Sequence, residues 1–284
     1  MIRTASGFLA LLAVLPALQA RDKPETPTPA QRYQALEKEY QTAEKEFLKV
    51  YKEAKTTEDK QKVLQERRPQ PDKFALRFLD LAEKTPKDPA AVDALVWVVS
   101  NARSAKRDPD SPRIKAAKIL VRDHVQSEKI AGVCWLLGYT QLRTVLEKSK
   151  HRSVQAQACL ALGNSAESRA RLARQFKDKP DVAKRYQEIL GKEDVEAIVE
   201  AGPDKLSKEA EALYERAIKD FADETDERGV KAGKMAEARL GALRHPILVG
   251  KAAPEIDGED IDGTKFKLGD YRGKVVLLDF WGNW

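Results

Sequence analysis

Side chains able to carry covalent chemistry are sparse: two cysteines, Cys134 and Cys159, and three histidines, His124, His151 and His245, in 284 residues. The cysteines lack the CxxC spacing that lets one thiol resolve a disulfide made by the other. Neither has a basic neighbour in sequence to favour its thiolate. Each sits in an apolar stretch, so the pair reads either as two buried structural thiols or as a structural disulfide joining neighbouring helices in an oxidising compartment. The histidines stand singly, without metal-ligand spacing, and read as surface or satisfied core residues; no metal is expected. There is no Gly-rich phosphate loop, nothing calls for a cofactor, and the many carboxylates lie in mixed-charge runs that mark no buried acid–base pair. The remaining signal is aromatic. Phe280, Trp281 and Trp284 crowd the last five positions, where they form an apolar surface fit to shield a reactive group or to pack beside a sheet.

The composition excludes several classes. Lys and Arg number 51 against 45 Asp and Glu, a net charge of +6. The excess is not gathered: Lys38-Glu39, Glu44-Lys45-Glu46 and Glu58-Asp59-Lys60 interleave the signs, as solvated helix faces do. Without a basic stripe carrying stacking aromatics, nucleic-acid binding is not expected. The pI near 9.1 implies only weak, nonspecific attraction to anionic surfaces. Residues 1–20 stand apart: Arg3 is a short positive region, Gly7 to Leu18 is apolar, and Arg21-Asp22-Lys23 follows Gln19-Ala20. Such a run is short for a bilayer but fits a secretory signal with cleavage near Ala20, so the chain is expected to be exported to the periplasm or cell envelope.

Residues 21–30 read as a Pro-rich linker, with Pro24, Pro27 and Pro29. Over 31–68 an amphipathic helix is expected. Tyr33, Leu36, Tyr40, Ala43, Phe47, Val50 and Ala54 recur at alternating steps of three and four, a heptad seam of about three repeats, and the helical stretch runs on to Arg67-Arg68, where Pro69 and Pro71 break it. From 71 to 244 the pattern is helix after helix. Asp88-Pro89 and Ser111-Pro112 are cap-plus-proline starts, and Ser127 opens a further helical stretch. Ala94 to Val99 is apolar enough for a buried strand, but its capped entry favours a helix. Val154, Ala158 and Leu162, then Leu172 and Phe176, then Val182 and Tyr186, mark later helices, and Leu206 to Phe221 is the clearest late stripe. The fold class is therefore mainly α, a set of helical hairpins without a repeat of fixed period. Such a scaffold is suited to holding a protein partner.

At His245-Pro246 the helical period stops. Ile261-Asp262-Gly263-Thr264 signals a hairpin, Phe266 and Leu268 alternate with lysines, and Lys274 to Phe280 reads as a strand buried on both faces. The series Val249-Gly250-Lys251-Ala252-Ala253-Pro254, Asp262-Gly263, Asp270-Tyr271-Arg272-Gly273-Lys274 and Val276-Leu277-Leu278-Asp279-Phe280-Trp281 resembles the opening of TlpA-type thioredoxin-like proteins. These are relatives of the alkyl hydroperoxide reductase and thiol-specific antioxidant group.

The resemblance implies that 247–284 is the first part, a β-hairpin and a central strand, of an α/β thioredoxin-like domain. In that family Phe-Trp-x-x-Trp is followed at once by Cys-x-x-Cys at a helix N-terminus, where unpaired N–H groups stabilise a thiolate. Phe280, Trp281 and Trp284 match the aromatic flank, and the cysteines would come after Trp284. The expected function is an exported thiol-disulfide oxidoreductase in its complete form, acting on protein dithiols and disulfides or on a peroxide, and inactive without the missing cysteine. One expectation is that the codon after Trp284 is a UGA encoding selenocysteine; a frameshift, an assembly gap or a pseudogene would also end the chain there. The alternative is a cell-envelope helical module that binds or assembles without catalysis.

Overall fold

A computed structural model of the chain describes residues 26–103, 108, 110–245, 250 and 252–279. The expected signal segment lies outside them. Among the described residues the architecture is mostly helical, with ten α-helices, two 3-10 segments and one two-stranded sheet. No described helix is long and apolar enough to cross a membrane.

Helix α1, Pro29–Glu53, begins at a capping box: the Thr28 hydroxyl accepts the Gln31 N–H while the Gln31 side chain accepts the Thr28 N–H. The helix does not run on to Arg68 as expected. The chain breaks after Glu53, and α2, Thr57–Glu66, restarts with the Thr56 hydroxyl capping Asp59 N–H at 3.0 Å. A Thr-x-x-Asp sequence offers the backbone this local alternative to a continuous helix. The inner part of α1 lies on α3, Pro71–Lys84, and α4, Pro89–Asn101. Tyr40 meets Trp97 edge-on at 5.0 Å, and Phe78 stacks on Trp97 at 4.2 Å. Outside this aromatic contact, Arg77 of α3 grips Glu39 of α1 through two hydrogen bonds of 2.7 Å.

The cap-plus-proline starts hold. Asp88 accepts the Ala90 N–H at the head of α4, and Ser111 the Ile114 N–H at the head of α5, Pro112–Asp123. Ala94, Leu95, Val98 and Val99 are fully buried within α4, which settles that apolar run as helix. Residues Glu128–Leu136 form a 3-10 segment rather than an α-helix. Gly132 within the segment weakens an α-helix there.

Helix α6, Tyr139–Lys148, leads into α7, Arg152–Asp178, which joins into one rod the two apolar stripes expected as separate helices. Small residues on α7, among them Ala158, Gly163 and Ala166, let α9, Lys192–Phe221, approach closely, and the Tyr214 ring lies directly over Gly163. Helix α9 kinks at Gly202, whose φ of +72° precedes Pro203. Helix α8, Pro180–Leu190, and the first part of α9 close a second, smaller core with the end of α7, built on Phe176, Val182, Ile198 and Leu206. Helix α10, Ala232–Arg244, packs on α9 and completes the main core.

Candidate functional site

The segment that follows the helices is built around a short hairpin. Strand β1, Asp257–Glu259, pairs antiparallel with β2, Lys265–Lys267, around the Asp-Gly turn the sequence signals. Asp260 organises the turn: its Oδ1 accepts the N–H groups of Asp262 and Thr264 at 3.0 and 2.8 Å, and Gly263 takes φ of +80°. Across the ladder Gly258 faces Phe266, whose ring covers it so closely that a Cβ at 258 would sit 2.5 Å from the ring. The Leu268 N–H donates to Ile256 C=O at 2.9 Å, and the Gly269 N–H to Glu255 Oε1 at 2.6 Å. These bonds fold the 3-10 turn Leu268–Tyr271 back toward the approach to β1.

Beyond that turn the expected strand is not formed. Residues 275–279 form no strand and have no ladder partners, and Val275 and Leu277 are fully exposed. A strand is stable only when its N–H and C=O groups are paired, and the described residues offer it no neighbour beyond the hairpin. Phe280, Trp281 and Trp284, the expected redox-site flank, lie outside the described residues.

Both cysteines are buried free thiols. Cys134 donates to Ile130 C=O at 3.4 Å, and loss of solvent pushes its thiol up to about 12. Cys159 donates to Leu213 C=O at 3.1 Å and is pushed up to about 11, again by burial, with Arg216 acting weakly the other way. A nucleophile needs the thiolate, so neither serves as one near neutral pH. The histidines stay apart in role. His151 Nδ1 lies 2.9 Å from Glu128, His124 caps the end of α5, and His245 follows α10. Among the described residues no group of three or more His, Cys, Asp or Glu side chains could hold a metal.

One polar cluster was not visible in the sequence. The Tyr139 hydroxyl on α6 donates to the Glu209 carboxylate on α9, lying 2.6 and 2.5 Å from its two oxygens, while Arg143 reaches the same carboxylate. The Arg169 guanidinium of α7 sits 4.2 Å from the Tyr139 ring centroid. Beside it lies an open hollow of about 300 Å³ bordered by Arg143, Glu147, Glu209 and Arg216 over Leu162 and Leu213. Its charges balance, and its members come from sequence-distant helices without a local motif. It ties α6, α7 and α9 together and presents no activated group.

Comparison with known proteins finds short local similarity to thiol-disulfide oxidoreductases. The chain is 47% identical over 38 residues to the thiol-disulfide oxidoreductase ResA of Geobacillus thermodenitrificans, covering 13% of this chain and 22% of that protein. It is 47% identical over 36 residues to the ResA of Bacillus thuringiensis subsp. konkukian, covering 13% and 21%. With the ResA of Bacillus anthracis the identity is 42% over 43 residues, covering 15% and 25%. The chain thus spans about a quarter or less of the length of these curated relatives. No family model matches it, and no solved structure does.

Proposed function

We propose that the chain is an exported thiol-disulfide oxidoreductase of the TlpA-like kind, in which a helical domain precedes a thioredoxin-like domain that begins near residue 247. The observation that carries this reading is the 47% identity over 38 residues to a thiol-disulfide oxidoreductase. We assign that similarity to the C-terminal segment, where the Asp-Tyr-Arg-Gly-Lys turn and the Leu-Leu-Asp-Phe-Trp run stand in the family's order. The Asp-Gly hairpin folded there supports the assignment.

In this reading residues 275–279 become a central strand once the rest of the domain supplies its neighbours, which accounts for their apolar, β-branched composition. The strand carries Phe280 and Trp281 to the sheet edge, and a thiolate or selenolate following Trp284 attacks a partner disulfide. One partner sulfur is released as a thiolate, and a resolving cysteine then displaces the other. Cys134 and Cys159 take no part, being buried with thiols held protonated.

The codons after Trp284 and a disulfide-reduction assay test the proposal together. The natural gene should encode Cys, or a UGA read as selenocysteine, directly after Trp284. The full natural polypeptide should reduce insulin disulfides and lose that activity when this residue is replaced by Ser. An open frame with neither codon, or activity that survives the replacement, would sink the assignment.

A further inference from the structure

Helix α1 shows how its seam takes a partner. With Tyr33, Tyr40 and Phe47 at a positions of the heptad, the g positions are Glu39, Glu46 and Glu53, and the e positions are Glu37, Glu44 and Tyr51. On the inner half a helix docks against this pattern. Leu36 and Tyr40 pack into the core shared with α3 and α4, and the g-position Glu39 receives Arg77 in a two-pronged ion pair at 2.7 Å. Apolar stripe meets apolar stripe, and a cation meets the flanking carboxylate.

The outer half continues the stripe through Phe47 and Val50, with Glu46 and Glu53 at g, Tyr51 at e and Leu48 at b, without a comparable partner. Tyr40 is the one buried residue of α1, while Val50 is 38% and Leu48 49% exposed. Helix α2 folds back beside it but buries none of its own residues, and leaves Leu64 37% exposed. Glu46 and Glu53 are exposed, and neither makes an ion pair with any described residue.

We propose that the outer half of α1, together with α2, docks an amphipathic helix of another protein whose apolar stripe is flanked by Lys or Arg. Two observations select this occupant: the acidic g flank of Glu46 and Glu53, and the Arg77–Glu39 pair that already satisfies the same g-position rule one heptad earlier. A second copy of α1 is the wrong chemistry. An antiparallel pair would set g against g, Glu against Glu along Glu46 and Glu53, and a parallel pair would set Glu39 against Glu44.

The test titrates the full chain with a fluorescent synthetic heptad peptide carrying Leu at a and d and Lys at e and g, read by anisotropy. Controls are the same peptide with Glu at e and g, and a scrambled Lys peptide of identical composition. The basic amphipathic peptide should bind saturably and both controls should not. Glu46→Lys with Glu53→Lys should weaken binding about tenfold, and Val50→Asp should abolish it. Leu76→Ser, in the separate groove between α1 and α3, should leave binding unchanged. The altered residues are all exposed, so unchanged thermal melts by circular dichroism establish that each variant is folded. Equal binding of the scrambled peptide, binding of the acidic one, no binding at all, or a dimer that forms through Val50 in sedimentation would each overturn the proposal.

Discussion

Replacing Gly163 by Ala sets two effects against each other with opposite signs. In an isolated helix Ala is favoured over Gly by about 1 kcal/mol, so on propensity alone the change stabilises α7. In the fold, an added Cβ would sit 2.8 Å from the Tyr214 ring, closer than real Cβ atoms come. That ring cannot swing into solvent: Tyr214 is 1% exposed, and its hydroxyl is held by Glu167 at 3.2 Å. Overpacking of this kind costs about 1–3 kcal/mol, and displacing the ring weakens a hydrogen bond worth about 1 kcal/mol. The net expectation is destabilisation of about 1–2 kcal/mol, seen as a melting point lower by roughly 2–8 °C. Urea titration followed by far-ultraviolet circular dichroism measures it. In a Tyr214→Leu background, where the ring is gone, the same Gly163→Ala change should become neutral or stabilising. If Gly163→Ala alone raises the urea midpoint, the close approach of α7 and α9 does not control this site and the reasoning fails.

Four further outcomes are expected. Because burial holds Cys134 near 12 and Cys159 near 11 against an ordinary 9.0, the unfolded chain releases these protons first; stability is full below about pH 9 and falls as the pH rises toward 11 and 12. A Cys134→Ala, Cys159→Ala double variant should show a shallower fall in urea midpoint across that window, and an equal slope would refute the burial argument. Thr56→Ala should weaken the cap of α2 by about 1 kcal/mol, speeding amide exchange in Thr57–Glu66 while leaving α3 and α4 protected. Asp260→Ala removes the acceptor of two turn N–H groups. The hairpin signals of residues 257–267 should therefore collapse in NMR spectra while those of α4 persist. Export predicts that N-terminal sequencing of the mature protein starts at or near Arg21; a chain isolated with Met1 intact would contradict it.

The helical part was legible because its signals are local. Asp88 and Ser111 each stand before a proline, and the structure places a helix start at each. The same locality explains the errors. The heptad count carried α1 past Glu53 because periodicity ignores a competing cap three residues on, which Thr56 and Asp59 supply. The stripes of α7 looked separate because the polar stretch between them lies along one rod whose other face packs on α9. The 274–280 run reads as a strand from its continuous apolar stretch and from the family resemblance, but a strand is a property of a pair, and the described residues give it none. The Tyr139–Arg143–Glu209 cluster had no sequence signature at all, since Glu209 lies on a helix distant in the chain from α6. The resemblance to thioredoxin-like proteins is read for a different reason, from the fixed order of turn and aromatic residues near the C-terminus, and a short local similarity to thiol-disulfide oxidoreductases is found.

The kink at Gly202 lies within a small core. Phe176, Val182, Ile198 and Leu206 form their own cluster across it, and Ala210, Tyr214 and Ala217 farther along α9 belong to the main core. Two cores of unequal size need not melt together. The smaller one should open as a separate cooperative unit under mild denaturant, with amides of α8 exchanging while those of α4 stay closed. That opening would bare the backbone around Gly202 to proteases, so a limited digest should cut first there and leave the larger body whole.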